Sequence, residues 1–242
     1  MATTSATLKA TVCAFLNRKA AAFVVDTVDL ALQACNNARL YAERMIDFEL
    51  SAVQATVAVT SPAVGGSLAD AKLYGTSTAV SIKKVITAYV TLASDLSQSP
   101  VPIKLMSRKS WERRLGRDVE RTIQLQDTSR IQVTSASPLV VVQSGSMLYA
   151  TPLDATTLGS TYSIHFSGLK WLPAYSAGTE TDFLLDNCFD WMMYKCISEL
   201  NFFLKEDERV SITEAVLEKH WNAVIKWNNE LVAANVDDVN LE

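Results

Sequence analysis

Two apolar stripes near the C-terminal end constrain the fold of this chain most. After Asp182, apolar residues recur at Leu185, Cys188/Phe189, Met192, Cys196, Leu200 and Phe203, at spacings of three and four. That is the helical period with one hidden face. The charged run Lys205-Glu206-Asp207-Glu208-Arg209 interrupts it. A second stripe follows at Val210, Val216/Leu217, Trp221, Val224, Trp227/Asn228 and Leu231. A short link between two such stripes predicts helices that fold back antiparallel. Asp182 is the expected N-cap, because its carboxylate can accept from the free N–H groups of the opening turn.

The N-terminal end carries the same period. Ala6 to Leu16 predicts a short helix, with Leu8, Val12, Phe15 and Leu16 on one side. A longer helix, capped by Asp26 or Thr27, is expected to run to about Leu50 on Leu30, Ala34, Ala38, Tyr41, Met45 and Phe48. Glu43 and Asp47 read as a solvated or subunit-facing side. From Ala52 the period changes to two: Val53, Ala55, Val57 and Val59 alternate with Gln54, Thr56 and Ala58, which predicts a strand. Further extended stretches are expected over 78–92, 139–143, 146–151 and 162–166, with Ser144-Gly145 as a hairpin turn. Strands do not alternate with helices here, so a parallel α/β sheet is not indicated.

The predicted fold class is therefore α+β: an antiparallel helical bundle from both chain ends with an inserted β-rich, sandwich- or barrel-like domain. The expected division is 1–51 with 180–235 as the bundle, 52–175 as the insertion, and 236–242 as a C-terminal tail. Phe15, Leu30, Ala38, Met45, Phe48, Leu185, Met192, Cys196, Leu200, Trp221 and Leu231 are the expected bundle core. If such a chain assembles cyclically, as the resemblance named below implies, the second side of the C-terminal helix pair, at Trp191, Tyr194 and Trp227, is expected to supply one of the two faces.

Composition excludes several function classes. The 242 residues are 49% hydrophobic and 20% charged with a net charge of −4, a globular balance with no global pull toward nucleic acid or anionic lipid. The first residues lack the basic start and apolar block of a signal peptide. No run of about 20 apolar residues is present, so no membrane partner is expected. The four cysteines, Cys13, Cys35, Cys188 and Cys196, form no CxxC pair, which argues against a metal centre and for buried thiols. His165 and His220 have no ligand-type neighbour in sequence, so no cofactor or metal is expected. Ser144-Gly145-Ser146 and Gly65-Gly66-Ser67 fall short of a nucleophile elbow and a phosphate loop. No catalytic residue is assigned, and an enzyme is not expected.

Two stretches remain as interaction candidates. Lys104, Arg108, Lys109, Arg113, Arg114, Arg117 and Arg121 stand against only Glu112, Asp118 and Glu120. Such a segment serves as a solvated or intersubunit basic surface, or contacts phosphates passing nearby. The tail, with Val236, Asp237, Asp238, Val239 and Leu241, reads first as a frayed terminus, and alternatively as a peptide that docks on a partner's groove.

Three stretches resemble head-to-tail adaptor (neck, or connector) proteins of tailed bacteriophages. The first is TVCAFLNRKAAAF with VDLALQACNNARLYAERMIDFEL, carrying Asn37, Ala38, Arg39, Glu43, Asp47 and Phe48. The others are MLYATPLDATTLGSTYSIHFSGLKWLP, and DFLLDNCFDWMMYKCISELNFFLKEDERV with EKHWNAVIKWNNEL. The resemblance implies a structural virion protein, assembled in the host cytoplasm and located at the virion neck. It would form a ring, expected to be twelve-fold, that binds the portal protein. It would also meet a tail or nozzle protein and extend the channel through which packaged DNA passes. In that setting 236–241 would contact the portal, and the basic residues would line the channel or join neighbours. Stopper and tail-terminator proteins are similar in role. A nucleic-acid-binding module using 104–121 is the alternative from a different class, and salt-sensitive DNA affinity of a monomer would favour it.

Overall fold

The computed structural model describes residues 3–59, 66–92, 101–107, 109–110, 140–151, 162–176, 178–204 and 207–239. The chain divides into two compact units, 1–50 with 172–242, and 51–171.

The first unit opens with α1 (Ser5–Phe15), whose Thr4 hydroxyl accepts from the Thr7 N–H at 3.2 Å. Its next free N–H groups, on Ser5 and Ala6, donate to the carbonyls of Glu180 and Gly178. A hairpin of β1 (Val24–Val25) and β2 (Val28–Asp29) follows. Asp26 and Thr27 form its turn with φ of 46° and 73°, the left-handed conformation that a tight two-residue hairpin requires. They are therefore not the cap expected from the sequence. Asp29 caps α2 (Leu30–Met45) by accepting from the Leu32 N–H at 3.1 Å, and its carboxylate also pairs with Lys9. The C-terminal part supplies α3 (Phe183–Asn187), α4 (Phe189–Leu204) and α5 (Asp207–Val239). Asp182 caps α3 at Leu185 N–H, 2.9 Å.

The core of this unit joins Leu8 and Val12 of α1, an alanine row of α2 (Ala31, Ala34, Ala38, Ala42), Leu184 and Leu185 of α3, and Trp191, Met192, Cys196, Ile197 and Leu200 of α4. The apolar part of the inward face of α2 is thus set by its small residues, and its large apolar residues Tyr41 and Met45 turn outward. Met45 is 60% exposed and Tyr41 42%, and on α1 Phe15 is 52% exposed. Met45 and Phe15 are not core residues, contrary to the spacing argument. Small side chains let a helix approach its neighbour closely, and a stripe one residue away from the large apolar positions wins on that account. Ala38, Phe48, Leu185, Met192, Cys196 and Leu200 are buried; Leu30, Trp221 and Leu231 are half-buried.

The second unit contains β3 (Ala52–Val59), β4 (Gly66–Ser67), β5 (Lys72–Leu73), β6 (Ile82–Leu92), β7 (Val101–Ser107), β8 (Val140–Ser144), β9 (Met147–Thr151) and β10 (Tyr162–Lys170). They form one sheet in the order β4-β9-β8-β7-β6-β10-β3-β5. Ala55, Val57, Val59, Val85, Ala88, Val141, Leu148, Ile164 and Phe166 make its core. The register between β10 and β6 slips after Ser167, so that Ser167 faces Thr87 but Gly168 faces Val85 and Ile86 bulges outward, 52% exposed.

The predicted fold class needs correction. The structure is a mixed α and β fold and not a helical bundle carrying a sandwich or barrel. Its first unit interposes a β-hairpin between α1 and α2, and takes core residues Leu172 and Tyr175 from an extended segment. The helix expected from Asp182 onward breaks at Cys188. Among the described residues of the second unit, the strands make a single sheet with β4 and β5 at its two ends, and no second sheet packs on it as in a sandwich, nor do β4 and β5 pair as in a barrel. One pair, β7 with β8, is parallel. Hydrophobic period reports which face is buried without reporting strand order or direction.

Candidate functional site

Polar residues of α2, from Asn36 to Glu43, grip the extended chain at 172–175. Arg39 and Glu43, one helical turn apart, form a buried ion pair at 2.6 Å. The Leu172 peptide lies between them: its N–H donates to Glu43 Oε1 at 2.5 Å, and its carbonyl accepts from Arg39 Nη1 at 2.6 Å. Asn36 does the same one turn earlier. Its Oδ1 accepts from the Tyr175 N–H at 2.9 Å and its Nδ2 donates to the Tyr175 carbonyl at 3.0 Å. The Tyr175 hydroxyl donates to Asp182 at 2.7 Å, and burial with that nearby carboxylate pushes its pKa well up. A buried peptide group without partners is costly, and these side chains supply what a neighbouring strand would. Glu43 is therefore interior, not the solvated residue that its charge suggested, whereas Asn37 and Asp47 are exposed. Further along, Asn228 of α5 holds the chain after α2, accepting from Glu49 N–H and donating to the Asp47 carbonyl.

A second constellation is an aromatic hollow of about 210 Å³ lined by Tyr41, Trp191, Lys195, Glu214, Leu217, Glu218 and Trp221. Trp191 and Trp221 lie 4.9 Å apart, and Tyr41 meets both at 6.2 and 5.8 Å. Lys195 Nζ stands 4.8 Å from the centre of the Tyr41 ring and 2.7 Å from Glu199. A larger hollow on the second unit is lined by Thr56, Asp70, Lys72, Tyr74 and His165, among others. There His165 stacks on Tyr89 at 4.9 Å and shares a hydrogen bond with the Thr56 hydroxyl; burial lowers its pKa. His220 stacks on Tyr194 at 5.3 Å.

The expected interaction residues are scattered or out of view. The helical backbone of α5 continues through Val236, Asp237, Asp238 and Val239, so these do not form a separate tail, and Leu241 lies outside the described residues. Ala233 and Ala234 are strong helix formers, which favours this extension beyond Leu231. Lys104 is in β7 and Lys109 is exposed; Arg108, Arg113, Arg114, Arg117 and Arg121 lie outside the described residues. Of the surface expected at Trp191, Tyr194 and Trp227, Trp191 is buried in the core, while Tyr194 and Trp227 are half-buried against it. The clamp residues escaped sequence reasoning because their partners are more than 120 positions away. The one available signal was polar Asn36, Arg39 and Glu43 on the face of α2 that its alanines mark as interior.

All four cysteines are buried and free. Burial, with the nearby Asp182 charge, pushes the Cys188 thiol up to about 12, and burial also raises Cys13 and Cys196. An aromatic disulfide reagent at pH 8 should label no thiol in the folded protein and four in urea; a fast-reacting native thiol would contradict this burial. The unfolded chain loses these protons first, so the contribution to stability is present below about pH 9 and is lost as pH rises toward 12. No helix among the described residues is long and apolar enough to cross a membrane. No protein-family model matches this chain, and comparison with curated proteins finds no match.

Proposed function

We propose that this chain is a non-enzymatic structural protein of a phage virion neck, an adaptor whose copies form a ring between portal and tail around the DNA channel. The sequence resemblance motivates the reading. The observation that carries it is a pair of unsatisfied apolar surfaces on the first unit. Val24, Val25 and Val28 of the hairpin are each about half exposed. Tyr41 and Met45, four apart on α2 and so on one helical face, form a second exposed group. Isolated exposed apolar residues are ordinary, but two grouped sets on one unit are what head-to-tail rings use, since each copy needs two different, complementary faces. The buried polar residues of α2 support a structural role, since Asn36, Arg39 and Glu43 hold the chain at 172–175.

Charge placed in either set tests the reading. Val25→Asp and Met45→Asp should each yield a folded protein that sedimentation velocity finds monomeric under conditions where the parent assembles. Mixed together, the two variants should stop at dimers, because each retains one intact face. Variants that assemble like the parent would remove these faces from the account.

A further inference from the structure

We infer that the aromatic hollow on the first unit is a receptor for an arginine side chain of a partner protein. Three features define the occupant. The hollow, about 210 Å³, is of side-chain size, not the size of a cofactor or a helix. Trp191, 2% exposed, closes its base, while the rings of Tyr41 and half-buried Trp221 provide π faces. A guanidinium stacks on such faces through their negative quadrupole and is more weakly hydrated than an ammonium, so it loses less on entering. At the rim stand Glu214 and Glu218, four apart on α5 and both exposed, with no ion pair to either among the described residues. Two carboxylates beside a planar apolar slot match the planar fork of arginine.

Lys195 does not already fill this role. Its ammonium is neutralised by Glu199 at 2.7 Å and covers one ring, Tyr41. With that pair cancelled, the rim keeps the two negative charges of Glu214 and Glu218. Like-charged exposed residues at i and i+4 weaken a helix, and an incoming cation relieves that repulsion. Trp, Tyr and Arg are also the residue types that dominate binding energy at protein interfaces. The inference does not depend on the ring proposal; any partner presenting an arginine would satisfy it.

The test is a titration of the full chain, isotopically labelled, with N-acetyl-arginine methylamide, followed through the indole N–H signals of Trp191 and Trp221. Saturable shifts at these two signals are expected. They should weaken by about tenfold when lysine replaces arginine in the probe, and vanish with citrulline, which keeps the shape and loses the charge. The double variant Glu214→Gln/Glu218→Gln, altered only at exposed positions, should bind about tenfold more weakly with an unchanged far-UV spectrum. Equal shifts from citrulline, equal affinity for lysine, undiminished binding by the double variant, or no saturable shift with arginine would each overturn the assignment.

Discussion

Glu43→Ala is expected to cost roughly 3–5 kcal/mol of stability, read as a lowered urea midpoint of the first unit. The carboxylate is 3% exposed and pairs with Arg39 at 5%, so removing it strands a guanidinium in the core. It also unpairs the Leu172 N–H. A control separates these losses. Arg39→Met with Glu43→Leu removes the stranded charge and leaves only the Leu172 peptide group unsatisfied, which should reduce the cost to about 1–3 kcal/mol. Unchanged stability in Glu43→Ala would show that the 172–175 segment is not held in this way.

Gly168→Ala should have a comparable effect on the second unit, about 3 kcal/mol or failure to fold. A Cβ built on Gly168 would lie 2.2 Å from the Lys84 carbonyl oxygen and 3.3 Å from Val85 Cα. Both are backbone atoms of the paired strand β6, at the bulge, so no side-chain rotation relieves the clash. Gly145→Ala provides the contrast. That site meets nothing within 4 Å, but has φ of +60°, so only the left-handed penalty of about 1–2 kcal/mol applies. Near-equal losses at the two glycines would argue against the β10–β6 register described here.

Local signals were the ones the sequence carried well. The alternation from Val53 to Val59 marks β3, Asp182 caps the helix after it, and Gly145 turns between β8 and β9. Each depends on residues close in sequence. Three features of longer range were not legible. Tyr41 and Met45 fit the helical period as well as the alanines do, and only the close approach of α4 decides which face goes inward. Asn36, Arg39 and Glu43 look like surface polar residues until the chain returns at Leu172. The parallel pairing of β7 with β8 joins strands far apart in sequence, and neither strand's own residues carry information about its direction. The orphaned carboxamide of Asn201 is a further such case. It lies in the α4 stripe beside Leu200, yet is 1% exposed with neither polar atom paired, a position that an apolar residue would fill at lower cost.

The proposed role rests on assembly without chemistry, and electron microscopy of the protein mixed with purified portal protein tests that most directly. The account predicts closed rings of this chain seated coaxially on the portal, with the Val25→Asp and Met45→Asp variants failing to close them. Particles showing bare portal beside free monomers, at concentrations well above those used for assembly, would contradict it.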